Sequence, residues 1–259
     1  MFIDTHAHLN YPEIAQNINE VLSRAIDSGV EKIIVPATSY KSSLEVIELV
    51  RKHEMLYGAV GIHPTELTDF NEKKLQEIES LCSEEKIVAV GEIGLDYFWE
   101  PYDKELQNYV LSSQLQIAKK NNLPVILHNR SSSEDLMKII INEYDNGNLR
   151  GQFHSFSGDS AMAKKCIELG FYISFTGNIT YKPNDSTYTA YDIIKNTEPV
   201  NLLLETDTPY LPPMPYRGKK NEPSYLKYTA AKIAQLKEME ISELGEITSK
   251  NAEILYNLQ

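Results

Sequence analysis

Phe2-Ile3-Asp4-Thr5-His6-Ala7-His8 is the stretch from which the rest of the chain can be read. A very short apolar segment ends in His-x-His. Side chains alternate along a strand, so residues two apart are expected to point the same way. On that reading His6 and His8 hold one metal ion together, since Zn, Mn and similar ions all accept imidazole nitrogen. As the first strand of a barrel, the segment would put both at the C-terminal mouth, where barrel enzymes keep their chemistry. A lone His pair is weak, because buried histidines often serve only structure. The remaining histidines carry the argument.

Working outward, short apolar runs alternate with amphipathic helical patterns. Strands are expected at 1–4, 32–36, 56–60, 87–91, 125–127, 151–153, 171–175 and 202–205. Helices are expected near 14–28, 42–53, 72–84, 104–121, 133–146, 159–169 and 188–195. Strands alternating with helices imply a parallel sheet. Eight such units in 259 residues imply an α/β fold, a closed (β/α)8 TIM barrel formed by 1–259 as one domain. Gly29 and Gly170 follow helical runs and suit the left-handed C-terminal conformation. Ser131-Ser132-Ser133-Glu134-Asp135 offers a capping box, and Pro124 suits a strand entry. The Pro-rich segment from Thr208 to Pro223 reads as a long, semi-rigid loop, with helices at 225–239 and 242–257 after it.

On this frame five of the six histidines fall at C-terminal strand ends. His6 and His8 close strand one, His63 strand three, His128 strand five and His154 strand six. Only His53 sits elsewhere, at a helix end. Glu92 closes strand four and Asp207 strand eight. Scattered core histidines would not gather on one rim. Imidazoles and carboxylates converging on one point suit a binuclear divalent-metal site, whose ions, roughly 3.5–4 Å apart, need a bridging ligand. Glu92 can bridge through its two oxygens. Asp207 has the reach of a terminal ligand and can take a proton from attacking water. Two dications facing two carboxylates leave positive charge, which favours a phosphodiester over a neutral amide.

Other residues admit two readings. Glu205, two before Asp207, is either a supporting proton acceptor or a buried, hydrogen-bonded strand-end carboxylate. Asp96 is expected to hold its loop rather than touch metal. Arg130 either binds phosphate bidentately or forms a helix-start salt bridge. Arg217, Lys219 and Lys220 could form a basic lip for a nucleic-acid backbone, although solvated charge is the commoner explanation. Tyr97, Phe98 and Trp99 could stack bases, although packing of their loop onto the rim is the expected role.

Composition narrows the class. A net charge of −12 argues against a protein that coats nucleic acid with a basic surface. No apolar run approaches the roughly 18 residues of a membrane span, and Met1 leads directly into the first strand without a signal-like segment. A soluble, cytoplasmic protein is expected. Cys82 and Cys166 belong to no Cys-x-x-Cys motif and read as free thiols.

Five motifs share a likeness: the opening Phe2–Leu9 segment, Gly61-Ile62-His63-Pro64, Gly91-Glu92-Ile93-Gly94-Leu95-Asp96-Tyr97, His128-Asn129-Arg130 and Leu204-Glu205-Thr206-Asp207-Thr208-Pro209-Tyr210-Leu211. Together with Thr248-Ser249-Lys250-Asn251-Ala252 they resemble the TatD-type metal-dependent deoxyribonucleases of the amidohydrolase superfamily. The resemblance implies hydrolysis of DNA phosphodiesters, at strand ends or short single-stranded stretches, by water activated at two divalent ions. Mg, Mn, Zn, Ni and Co are all candidates. It implies that His6, His8, Glu92 and Asp207 hold one ion and Glu92, His128 and His154 the other. His63 then lines the site and contacts phosphate, or orients a loop. No membrane and no obligate protein partner are expected. Two rivals remain on the same barrel: a metal-dependent ester hydrolase such as a D-aminoacyl-tRNA deacylase, and a non-catalytic nucleic-acid-binding module.

Overall fold

The computed structural model describes residues 1–144 and 147–258. Its strands are β1 (Phe2–Asp4), β2 (Val30–Pro36), β3 (Leu56–Val60), β4 (Ile87–Asp96), β5 (Val125–Arg130), β6 (Gly151–Phe153), β7 (Tyr172–Phe175) and β8 (Leu202–Leu204). The helices are α1 (Pro12–Ala15), α2 (Ile18–Asp27), α3 (Tyr40–Lys52), α4 (Glu72–Leu81), α5 (Lys104–Lys120), α6 (Ser133–Glu143), α7 (Ser160–Glu168), α8 (Asp185–Asn196), α9 (Leu226–Lys237) and α10 (Ile241–Tyr256).

Each strand pairs in parallel with the next in chain order. The last meets the first: Thr5 N–H donates to Leu204 O at 3.0 Å, and Ala7 bridges Thr208. The expected (β/α)8 barrel is therefore the observed one. Ile3, Ile34, Ala59, Ala89, Ile126 and Leu203 form an inner layer with Leu255 and Tyr256 of α10. Asn251 of α10 donates to the carbonyls of Pro199 and Leu202, at the start of β8. That helix therefore plugs the end of the barrel away from the strand C-termini. Among the described residues, no helix is long and apolar enough to cross a membrane.

Local chemistry sets most boundaries. Gly29 and Gly170 adopt φ +84° and +80°, ending α2 and α7 as expected. Other expectations are corrected. The single helix at 14–28 is two helices, broken at Gln16–Asn17. The helix at 133–146 ends at Glu143, and 145–146 lie outside the described residues. The capping box at Ser131–Asp135 does not form. Ser132 instead donates its hydroxyl to Leu95 O and Asn129 Oδ1, which ties β4 to β5. A capping box occurs at α3, where Ser39 and Ser42 cap each other. β4 and β5 also run past their expected ends, so Glu92 and His128 lie within strands rather than closing them.

Candidate metal centre

Two departures from regular strand geometry build the centre. The first follows β1. Ile3 packs in the inner layer, so strict alternation would turn Thr5 inward and His6 outward. A bend at Thr5 breaks the alternation. Asp4 closes it by accepting His6 N–H at 3.3 Å and Thr206 N–H at 3.0 Å on one oxygen. Its other oxygen accepts the Thr206 hydroxyl at 2.6 Å. Asp4 thus joins the chain leaving β1 to the chain leaving β8, and it brings His6 and His8 to the mouth together with Asp207. Burial raises the Asp4 carboxyl to about 7, against the pull of its hydrogen bonds.

The second departure is a bulge in β4. Val90 pairs with Val125 and Ile93 with Leu127, so β4 carries one extra residue there. A bulge re-aims side chains. With Ala89 inward, regular pairing would point Gly91 and Ile93 inward, but the bulge presents Glu92 instead. Further along, Gly94 at φ +150° leaves no room for a Cβ, which would stand 2.0 Å from His128 O. That close approach sets β5, and hence His128, against Glu92.

Glu92 is buried at the middle of the site. Its Oε2 lies 3.3 Å from His6 Nε2 and 3.4 Å from His8 Nε2. Its Oε1 lies 2.9 Å from His128 Nδ1, 3.0 Å from His154 Nε2 and 3.5 Å from His63 Nε2. Asp207 Oδ1 is 3.7 Å from both His6 Nε2 and His8 Nε2. Burial opposes ionisation of Glu92, but the surrounding His154, His63 and His6 outweigh it and hold the carboxyl well below the ordinary range.

The protonation pattern tests whether these groups fit a cation. A carbonyl oxygen can only accept, so His8 Nδ1, 3.1 Å from Pro36 O, carries that ring's proton. The His8 Nε2 lone pair then faces acceptors, namely Glu92 Oε2 and Asp207 Oδ1. His6 Nε2 is 3.2 Å from His8 Nε2 in the same cluster. The His6, His8 and Glu92 atoms are 3.2–3.4 Å apart, and Asp207 Oδ1 lies 3.7 Å from each of the two imidazole nitrogens. Four atoms held tetrahedrally at about 2.1 Å from one ion would be about 3.4 Å apart. The set therefore fits a divalent metal. His63, Glu92 and His128 form a further group of potential ligand atoms on the other side of Glu92.

The ligand-bearing side chains are themselves held. Asp96 Oδ2 lies 3.0 Å from His128 Nε2, while its Oδ1 accepts the N–H groups of Phe98 and Trp99. It therefore holds its loop, as expected, and also orients His128. Burial lowers the basicity of His128, yet Asp96 and Glu92 together raise it above the ordinary value. Glu205 is fully buried. It accepts from Ser155 N–H, Gln152 and Ser174, and its Oε1 stands 3.6 Å from His154 Nδ1. Asp207 adopts a left-handed φ of +59°, a conformation that Asp tolerates better than most residues. Its N–H donates to His6 O.

The centre opens into a cavity of about 570 Å³. His63 lines it. Thr65 N–H donates to His63 Nδ1, leaving the proton on Nε2, which points towards Glu92. Arg130 also lines the cavity, with its guanidinium stacked on Phe98 and Trp99. Arg217 is not brought there. It stacks on Tyr181 and lines a neighbouring cleft, while Lys219 lies over Tyr216. His53 ends α3. Both cysteines are buried, and burial pushes their thiols up to about 12. Sequence reasoning missed Asp4, Tyr11 and Tyr210. An Asp inside an apolar strand was the available signal for the first. Tyr11 stacks on His8 at 4.9 Å, but nothing in its local sequence marks it.

A parallel (β/α)8 barrel with clustered imidazoles and carboxylates at its C-terminal mouth defines a metal-dependent hydrolase. The chain belongs to the TatD family: the model described as TatD related DNase matches residues 3–257. The uncharacterized metal-dependent hydrolase YabD of Bacillus subtilis is 39% identical over 258 residues, covering 100% of each chain. The crystal structure of YjjV, a TatD homolog from Escherichia coli K12, superposes with a TM-score of 0.93 at 34% identity, covering 100% of this chain and 98% of that one. A TatD family hydrolase from Entamoeba histolytica gives 0.87 at 25% identity, covering 98% and 97%.

Proposed function

We propose that the protein is a deoxyribonuclease that hydrolyses DNA phosphodiesters at strand ends, with two divalent ions held on either side of Glu92. The observation that carries this reading is the division of the Glu92 carboxylate. One oxygen faces His6 and His8 and the other faces His128 and His154. His6, His8, Glu92 and Asp207 would hold one ion, and Glu92, His128 and His154 the other. Such ions, when bound, supply an activated water and neutralise charge on the phosphate. Mg, Mn, Zn, Ni and Co all suit this mixed donor set, and availability decides among them.

The chain's own groups do the rest. Asp207 accepts the proton of the attacking water, and burial holds its carboxyl up at about 6. His63 presents its Nε2 proton to a phosphate oxygen. Glu205 keeps the His154 ring in place, and Asp96 keeps His128. The acidic surface restricts contact with the polymer to the mouth, which favours ends and short single-stranded stretches over a long duplex.

The test is divalent-metal-dependent degradation of end-labelled single- and double-stranded DNA, with Glu92→Ala alongside. Loss of nucleotides that needs metal and vanishes in the variant, whose barrel stays folded, supports the reading. A protein that binds two metal ions yet leaves DNA intact refutes it. The search then moves to aminoacyl-tRNA esters.

A further inference from the structure

Trp99 and Thr65 line two cavities at once, the metal-centre cavity and a second of about 600 Å³. Leu67, Pro101, Tyr102 and Leu106 supply much of the second cavity's wall. Packing of the aromatic loop onto the rim was the expected role of Phe98 and Trp99. Instead Phe98 is 52% and Trp99 57% exposed. Their backbone is nonetheless fixed, because both N–H groups donate to Asp96 Oδ1 at 2.9 and 3.2 Å. The Arg130 guanidinium stands 4.1 Å from the Phe98 ring centre and 5.1 Å from that of Trp99. Two aromatic rings are thus presented to solvent beside the centre in a preset orientation, which lowers the entropy cost of stacking a ligand on them.

Charge separates the two sides of the centre. The Trp99 cavity is lined by Glu100 and Asp103, and no Lys or Arg lines it. On the other side, a cleft of about 530 Å³ begins at Ser155, next to His154, and is lined by Lys182 and Arg217. Its acid, Asp159, caps α7, as Asp103 caps α5, so the contrast lies in Glu100 on one side and Lys182 and Arg217 on the other. A chain of phosphates is repelled by the first cavity and attracted by the second. An uncharged planar ring suits the first, and its volume lies in the range of small-ligand sites.

We infer that the Trp99 cavity receives the base of the strand's terminal nucleoside, while the polynucleotide leaves over the Lys182–Arg217 cleft. This inference rests on the nuclease reading and deepens it: the substrate end must be unpaired and must carry a base. Because every base has a π face, the pocket tolerates all four.

Trp99 is the sole tryptophan of the chain, so its fluorescence reports stacking directly. The whole protein in EDTA is titrated with tetradeoxyadenylate and with tetramers carrying an abasic unit at one end or the other. An internal dye follows binding independently. The natural tetramer should quench Trp99. An abasic unit at one particular end should remove the quenching and weaken binding about tenfold, as expected for loss of one base–aromatic stack. With metal added, Trp99→Ala should lower kcat/KM on the natural end about tenfold and abolish the preference for a base there, and Trp99→Phe should restore most of it. Quenching by all tetramers alike, binding without quenching, or an undiminished preference in Trp99→Ala overturns the pocket. Base-dependent quenching by a metal-loaded protein that cuts no DNA keeps the pocket and refutes the nuclease. Cleavage indifferent to the base does the reverse, and failure of the metal-free protein to bind any tetramer overturns the pocket and leaves the nuclease reading to the cleavage assay.

Discussion

Replacing Asp96 with Asn puts a donor where every partner is itself a donor. One Asp96 oxygen accepts two backbone N–H groups, from Phe98 at 2.9 Å and Trp99 at 3.2 Å, and the other lies 3.0 Å from His128 Nε2. An amide has one oxygen to offer. If its NH2 faces the loop, two N–H groups lose their acceptor. If it faces His128, the ring must accept on Nε2 and carry its proton on Nδ1. That proton then points at Glu92 Oε1, 2.9 Å away, where a ligand lone pair is required. Loss of such an orienting partner typically weakens metal binding 10- to 100-fold, or about 1.4–2.7 kcal/mol. The loss should fall on the ion beside His128 and leave the His6–His8 side nearly unchanged. Titration of Asp96→Asn against a metal-buffering chelator measures this, with His128→Ala as the reference for loss of the same ion. Excess metal should recover much of the turnover in Asp96→Asn but not in His128→Ala. Wild-type affinity for both ions in Asp96→Asn would refute the tautomer argument.

Glu205→Ala leaves the Ser155 N–H and one Gln152 N–H without their buried acceptor, while the Ser174 hydroxyl keeps Phe153 O within reach. At roughly 1–3 kcal/mol for each unsatisfied group, urea unfolding should show a loss of at least about 2 kcal/mol, and a loss under 1 kcal/mol would contradict the assigned network. Asp4 has a folded-state carboxyl pKa of about 7 against 3.8 as a free side chain. A raised folded value gives stability that is full below the unfolded pKa and lost as pH climbs through the folded one. In metal-free protein, Asp4→Asn should therefore gain stability over wild type between pH 4 and pH 8, on the order of 4 kcal/mol at the upper end; parallel pH profiles for the two proteins would exclude this. Contact with only two to four phosphates predicts a slope of about −1.4 to −2.8 for log affinity against log salt with single strands. A slope beyond −6 would instead indicate an extended nucleic-acid surface.

The gathering of histidines on one rim was legible because strand order alone fixes which ends meet at the mouth. His6, His8, His128, His154, Glu92 and Asp207 all reach the centre as expected. How they reach it was not legible. Alternation assigns His6 and Glu92 inward only after the bend at Thr5 and the bulge between Val90 and Ile93, and both depend on neighbouring strands. Asp4, which holds the first irregularity, binds Thr206 across a sequence separation of 202 residues that local patterning cannot see. The Ser131–Asp135 box failed for the same reason, since the Ser132 side chain is turned to donate to a tertiary acceptor on β4 and does not accept from the helix-end N–H groups. The stacking of Arg130 on Phe98 and Trp99 was not legible either, because it depends on where β5 lies against the loop that follows β4.

The join between β8 and β1 has a consequence for the protein's life history. His6 and His8 come from the chain after β1 and Asp207 from the chain after β8, and the join is held by Thr5 N–H and hydroxyl on Leu204 O, Asp207 N–H on His6 O, His8 N–H on Thr208 O, and Asp4 on Thr206. An ion gripped by His6, His8 and Asp207 would act as a clasp across this seam. Anything that binds only the closed form shifts the equilibrium towards it by mass action. Opening of the barrel would then be most strongly suppressed where β8 meets β1. A nascent chain would also remain chemically silent until its eighth strand had docked, so every ligand of that ion would be in place only after this late step.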